Sequence, residues 1–316
     1  MSLSEAVPDS NQNPDSDQKP ESSQKPDSGH NTEEKFAFGR NWKNFLTKLD
    51  DSQVAEAEES IKRLIDESDL TGKRFIDAGS GSGLFSLAAW RMGAEVLSFD
   101  VDVDSVACTQ HLYRTNGEPE RWQVTEGSLL DRSFMSQLPK GDIVYCWGVA
   151  HHTGEMWMAL AHLSGVVAEN GKLIVAIYND QALWSRVWSA IKKTYQRFPR
   201  WLRPVLVFLI GSALVLRRLA FTLAASLFRL CTIRNPFIPW ANWISESRIR
   251  GMNRWYDLVD WVGGWPFEVA RPEQIFRWFR DRGFELREMT TCDGHGCNEF
   301  VFERVSVTSK EDQATN

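Results

Sequence analysis

The chain has 316 residues and carries 36 Lys and Arg against 42 Asp and Glu, and its formal charge of −6 argues against indiscriminate nucleic-acid binding. A hydrophobic fraction of 42% is ample for a buried core, either in one large domain or in one domain with additions. The five cysteines (Cys108, Cys146, Cys231, Cys292, Cys297) contain no C-x-x-C pair, and no secretory signal opens the chain, so reduced thiols in a cytoplasmic protein are expected.

Residues 1–34 are rich in Ser, Asp, Pro, Gln and Asn and include the near-copies Gln18-Lys19-Pro20-Glu21-Ser22 and Gln24-Lys25-Pro26-Asp27-Ser28. Such a segment buries too little surface to offset its ordering entropy, so a disordered acidic tail is expected. Residues 35–70 read as N-terminal helices. Trp42, Phe45, Leu46 and Leu49 fall at helical spacing, and Ala55 to Ile65 continues as a second helix.

Residues 71–180 alternate strand and helix, which predicts an α/β, doubly wound parallel sheet. Its first unit is Arg74-Phe75-Ile76-Asp77, then the glycine-rich Ala78-Gly79-Ser80-Gly81-Ser82-Gly83, then the helix-forming Leu84 to Trp90. Glycines let the chain take a positive-φ turn and let backbone approach a ligand closely. The dinucleotide pattern G-x-G-x-x-G/A fails, because Leu84 or Ser86 stands at its third position, and no G-K-[ST] of a P-loop is present. The next strand, Gly93 to Asp100, ends in a carboxylate about twenty residues beyond the glycines, where it can accept hydrogen bonds from both ribose hydroxyls. Asp102 and Asp104 read as helix caps or solvated charges.

The run Asp77-x-Gly79-x-Gly81-x-Gly83 resembles motif I of the class I S-adenosylmethionine (SAM) methyltransferases. The resemblance covers about residues 70–180 and 270–305. It implies a seven-stranded Rossmann-like sheet with SAM as cofactor. Asp77 would orient the turn and the ligand's amino acid end, Gly79, Ser80, Gly81 and Gly83 would admit the cofactor, and Asp100 would grip the ribose. In that family an Asp often stands where this chain has Ser128. Here the Ser128 hydroxyl, a backbone group or Asp131 would meet the adenine amino group, with Leu129 and Trp147 completing the cofactor site. A leading helix often covers the cofactor in the family, so Phe38, Trp42 and Phe45 are either pocket cover or ordinary core.

The strand Asp142 to Trp147 exits through Gly148-Val149-Ala150-His151-His152, beyond the carboxyl ends of the strands where ligands of open sheets sit. His exchanges protons near neutral pH, so His152 or His151 is the expected base, with a capping role as the rival reading. Adjacent histidines point apart and no third ligand is spaced nearby, so no metal site is expected. Lys172 to Tyr178 gives the fifth strand.

Residues 181–250 hold twelve Lys and Arg against the single acid Glu246. Leu183 to Phe198 is amphipathic, with Trp184, Val187, Trp188, Ile191, Tyr195 and Phe198 on one face. Pro204 to Leu216 is apolar, but thirteen residues are too few to span a bilayer, and Arg217-Arg218 interrupt the continuation to Phe228. The expectation is a helical basic insertion after the fifth strand that meets an anionic membrane surface through 181–240, with a lid or an oligomer interface as rivals. Residues 251–306 supply a polar-aromatic loop through Glu268 that is expected to form a substrate wall, with Tyr256 and Asp257 as secondary candidates for base or orienting group, then the helix from Pro272 and two closing strands. Cys292, His295 and Cys297 lie in a glycine-rich loop, and the tail 307–316 is expected to fray.

Within the family the chain resembles the O-methyltransferases of ubiquinone biosynthesis. That resemblance implies in-line methyl transfer to a small or lipophilic, quinol- or phenol-like acceptor by a peripheral membrane protein. A protein or RNA methyltransferase that uses the basic insertion as a footprint, and a non-catalytic SAM-binding membrane adaptor, stand as alternatives.

Overall fold

The computed structural model describes residues 49–246, 254–294 and 296–305, without the side chains of 245–246, 254–257 and 260. The expected tails at 1–34 and 307–316, the helix carrying Phe38, Trp42 and Phe45, and His295 all lie outside the described residues. Helix α1 (Asp51–Ile65) begins where Asp50 accepts the Gln53 N–H and the Gln53 side chain answers the Asp50 N–H, a reciprocal cap.

A seven-stranded sheet follows, in the order β3-β2-β1-β4-β5-β7-β6. Its strands are β1 (Arg74–Ala78), β2 (Glu95–Asp100), β3 (Trp122–Glu126), β4 (Gly141–Trp147), β5 (Val167–Tyr178), β6 (Phe284–Thr290) and β7 (Cys297–Arg304). The first five pair in parallel, and β7 enters antiparallel between β5 and β6. This is the doubly wound sheet with a closing hairpin that the sequence predicts. The order reverses between β1 and β4, the switch point beside which open α/β sheets bind ligands.

Both faces of the sheet are covered, and strand alternation decides which residue faces where. One layer joins Ile76, Ala78, Val144, Cys146, Leu173 and Val175 to α5 (Met156–Val166) and α10 (Pro272–Arg280). The opposite layer joins Phe75, Val96, Ile143, Tyr145 and Ile174 to α1 and α2 (Leu84–Arg91). Helices α3 (Val103–Thr115) and α4 (Arg132–Gln137) complete the crossovers, capped by Asp102 and Asp131.

The insertion after β5 is helical, as expected: α6 (Leu183–Arg197), α7 (Arg203–Cys231), α8 (Ile238–Glu246) and α9 (Arg254–Gly263). It has a small core of its own, in which Tyr195, Val207 and Val262 pack with Ile191, Ile210 and Leu258. Two expectations change. Arg217 and Arg218 do not interrupt the apolar run, and α7 is one continuous helix of 29 residues. Arginine is a good helix former, and these two project into solvent at no cost to the backbone ladder. By length and composition α7 suffices to cross a membrane. The polar-aromatic stretch around Tyr256 and Asp257 is the helix α9 rather than a loop, because Leu258, Val259 and Val262 repeat at helical spacing and pack inward.

Candidate functional site

The turn after β1 is built by three left-handed glycines, Gly79 (φ 85°), Gly81 (φ 55°) and Gly83 (φ 80°). A Cβ on Gly79 would lie 2.5 Å from both methyls of Val149, and one on Gly83 would lie 2.9 Å from Thr109 Cα. The Gly79 and Ser80 N–H groups donate to the Phe99 carbonyl at 2.8 and 3.1 Å, and the Gly81 N–H donates to Asp100 Oδ2 at 3.0 Å. The other oxygen of Asp100 accepts the Asp102 N–H at 2.9 Å. Burial raises the pKa of Asp100, and these two N–H groups oppose that rise by favouring the carboxylate.

Beyond the carboxyl ends of β1 to β4 lies a cavity of about 290 Å³. Gly79, Phe99, Asp100, Gly127, Ser128, Leu129 and Val149 form its floor and sides, and His152, Thr153 and Trp265 its outer wall. The volume stands at the lower end of the range for small-ligand sites. The loop that carries Ser128 and Leu129 is held by His162 Nδ1, which donates to the Leu129 carbonyl at 2.6 Å.

Of the candidate cofactor residues, the structure brings Gly79, Asp100, Ser128 and Leu129 to the cavity wall and sets the others back. Gly81 and Gly83 shape the turn, and the Ser80 hydroxyl is engaged with Thr109 Oγ1 at 2.9 Å. Asp77 shares strand parity with Phe75 and faces α2, where Ser86 Oγ donates to it at 2.5 Å. Ser98 Oγ lies 2.7 Å from Ser86 Oγ and accepts Trp122 Nε1–H at 2.9 Å, so the proton order runs Trp122, Ser98, Ser86, Asp77. Burial pushes the Asp77 carboxyl up to about 7. Trp147 follows Tyr145 on that same strand face and is turned away from the cavity. Asp131 caps α4 through the Ser133 and Phe134 N–H groups and does not reach the cavity in place of an adenine-binding acid.

The two histidines divide. His152 lies on the cavity wall with Nδ1 2.7 Å from the Pro266 carbonyl. A carbonyl only accepts, so Nδ1 carries the proton and Nε2 the lone pair. Burial pushes its pKa down to about 3, and the Lys192 charge acts in the same sense. His151 is buried, stacked on Tyr178 with ring centroids 3.9 Å apart, and takes the Tyr178 N–H on Nδ1 at 3.4 Å. Its pKa is driven well below the ordinary value, chiefly by burial, and Nε2 has no hydrogen-bond partner among the described residues. Of the two, only His152 lines the cavity. Tyr256 and Asp257 stand in the first turn of α9, and their side chains lie outside the described residues.

The segment Trp265–Ala270 belongs to the polar-aromatic stretch expected from sequence as a substrate loop, and its Trp265 lines the cavity. Its Glu268 N–H donates to the His151 carbonyl at 3.0 Å, and its Glu268 carboxylate accepts the Met156 N–H at the start of α5 at 3.0 Å. That anchoring sets the Pro266 carbonyl against His152 and Trp265 over the cavity. The signal for it was Gly263-Gly264-Trp265-Pro266, dense in turn and aromatic residues. Behind this wall Lys192 is fully buried, its ammonium 4.9 Å from the Trp261 and Phe267 ring centroids and bonded to the Trp261 carbonyl. The aromatic faces and the carbonyl stabilise a charge that would otherwise be costly to bury.

The strand order, the glycine turn and the closing antiparallel hairpin are those of the class I SAM-dependent methyltransferase fold. Residues 59–201 match the family model of ribosomal protein L11 methyltransferase (PrmA). A ribosomal protein L11 methyltransferase of Alteromonas mediterranea is 40% identical over 139 residues, 40% of this chain and 47% of that protein. Its counterpart in Haemophilus ducreyi is 36% identical over 61 residues, 19% of this chain and 21% of that protein. The chain thus spans less than half the length of these curated relatives. Among solved structures, magnesium protoporphyrin IX methyltransferase from Synechocystis PCC 6803, with bound SAH, superposes with a TM-score of 0.46 at 16% identity, covering 79% of this chain and 83% of that one.

The wall fits SAM on three grounds. Gly79 leaves the space that any Cβ would take from Val149. Each Asp100 oxygen, with one lone pair used by a backbone N–H, retains another for a ribose hydroxyl. Ser128 adds a hydroxyl-bearing side chain to the wall.

Proposed function

We propose that this chain is a SAM-dependent methyltransferase, and the observation that carries the reading is the cavity between the Gly79 turn, Asp100 and His152. When bound, SAM supplies a methyl group already activated by its sulfonium, so the protein's work is chiefly alignment. Holding two reactants in line is worth on the order of 7–11 kcal/mol of barrier. Asp100 and the 127–130 loop hold the nucleoside end. His152 faces the acceptor with a lone pair on Nε2, fixed in that tautomer by Pro266. A base with a pKa near 3 is weak at neutral pH, so His152 orients the acceptor's hydroxyl or amine by accepting its hydrogen bond, and takes the proton only as methyl transfer releases it.

For the acceptor we favour a small or lipophilic hydroxyl compound. Trp265, on the cavity wall, offers a ring suited to a flat apolar molecule. A second reading, transfer to a protein, is favoured by the L11 methyltransferase match, which encloses the cofactor side of the cavity but ends before Trp265 and α7.

The test has two arms. Calorimetry should find SAM and SAH bound by the wild type and roughly 10- to 100-fold weaker binding by Asp100→Asn, which loses a charge-assisted contact of about 1.5–3 kcal/mol. Equal affinity would remove Asp100 from the site, and no binding by the wild type would reject the reading. Labelled SAM offered to a lipid extract, a polar metabolite pool and ribosomal proteins then separates the acceptors by which fraction takes the label.

A further inference from the structure

Helix α7 presents an apolar surface that nothing in the described protein covers. Of its 29 residues only Val207 and Thr222 are buried. Leu209, Leu216, Leu223 and Leu230 recur every seventh residue and are 59, 63, 53 and 62% exposed, which makes one outward row along the helix. Arg217 follows Leu216 and Arg229 precedes Leu230, so the turn of the helix sets the cations beside the row and not in it. The patch continues onto α8, where Trp240 and Trp243 stack at 5.9 Å and Ile244 is exposed. Exposed apolar rows of this length on soluble proteins mark an interaction surface.

Charge decides the partner. Residues 181–245 contain ten Lys and Arg and no Asp or Glu. A leucine row at seven-residue spacing would also suit pairing with a second copy, but two such helices would bring Arg against Arg with no acid to answer them. Apart from Lys192, which is buried, an anionic surface answers these cations, and tryptophan is at home in the headgroup zone. Orientation follows from packing. Val207, Ile210 and Gly211 are seated on α6 and α9, with Leu258 directly over Gly211, so the first part of α7 is fixed to the folded body. Arg217 and Arg218 stand near its midpoint, where a spanning helix would hold them at the bilayer centre.

We propose that α7 and α8 lie in the plane of an anionic phospholipid surface, the leucine row sunk below the headgroups and the arginines among them. The proposal goes beyond methyl transfer and is tested without cofactor or acceptor, so the two readings fail separately. The full chain is floated with vesicles of phosphatidylcholine alone and of phosphatidylcholine with phosphatidylglycerol. The expected result is association with the anionic vesicles, at least roughly tenfold weaker on the neutral ones and reversed by high salt. Leu216→Glu with Leu223→Glu should abolish flotation while circular dichroism and SAM calorimetry stay unchanged. Arg217→Ala with Arg218→Ala should reduce the preference for anionic vesicles without touching the apolar row. No association with either vesicle overturns the proposal. So does binding to both that resists salt and alkaline carbonate, which would mean a spanning helix. Loss of a dimer on light scattering in the leucine variant, with flotation unaltered, assigns the row to a second copy instead.

Discussion

Asp77 and Asp100 end neighbouring parallel strands, and burial raises both, yet their surroundings give them different work. Asp100 is held as a carboxylate at the cavity edge by two backbone N–H groups. Asp77 ends a buried chain of hydroxyls under α2, where burial pushes its carboxyl up to about 7. A carboxyl whose pKa rises from 3.8 to about 7 on folding binds more protons folded than unfolded within that interval, so its contribution is present below pH 4 and lost as pH climbs to 7. Asp77→Asn keeps the acceptor oxygen for Ser86 and removes the titration. Denaturant midpoints measured from pH 4 to 8 should fall less with rising pH in the variant, by up to about 1.4 kcal/mol per unit of pH; parallel curves would dismiss the assignment. His152→Ala should slow methyl transfer on the order of 100-fold with SAM affinity within a few-fold of wild type, a split between kcat and cofactor Kd that a merely structural histidine would not give. At this scale the sequence shows which residues matter better than it shows where they point. The spacing of the glycines and Asp100 pointed to residues that line the cavity, but side-chain parity along β1 and β4 leaves Asp77 and Trp147 out of its lining, and no motif encodes that parity.

The element that organises the site is the unit of β1, its glycine turn and α2. Gly83 is both the last left-handed residue of the turn and the residue before α2, and it sits against the backbone of α3 at Thr109. Thr109 also holds Ser80 through its hydroxyl, so the turn, α2 and α3 share one tight contact. Gly83→Ala combines about 1–2 kcal/mol of left-handed strain with a Cβ 2.9 Å from a Cα that cannot swing aside. The expected result is a thermal midpoint lowered by several degrees and SAM affinity reduced with it; an unchanged midpoint would show that α3 yields freely. This unit was legible because each part has a local cause: a β-branched run, glycines at positive φ, a helix-forming run. Helix α7 was legible only in part. Its apolar content was plain, but its continuity through Arg217 and Arg218 depends on those side chains reaching solvent, a fact of tertiary placement. Helix α9 was misread as a loop because its aromatic and acidic residues run into Gly263-Gly264, although Leu258, Val259 and Val262 repeat at helical spacing and pack against α6 and α7.

The whole molecule has two cores of unequal strength. The sheet core is continuous through both faces, whereas the insertion is held by a few contacts around Tyr195, Val207 and Val262. Local opening follows burial, so the two parts should differ in hydrogen exchange. Amides of β1, β4 and β5, buried on both faces, are expected to exchange only through global unfolding. Those of α7 beyond Gly211, with Thr222 its one buried residue there, should exchange several orders of magnitude faster in detergent-free solution. Ligand linkage sharpens the contrast. SAM at a hundred times its dissociation constant should add about 2.7 kcal/mol to the protection of the sheet core, because it binds the folded site alone. The latter part of α7 makes no contact with the cavity and should gain nothing from it. Exchange followed by mass spectrometry, with and without SAM, reads both regions in one experiment. Equal gains in α7 and β4 would mean that the insertion closes over the cofactor as a lid, and its exposed row would then belong to the catalytic cycle.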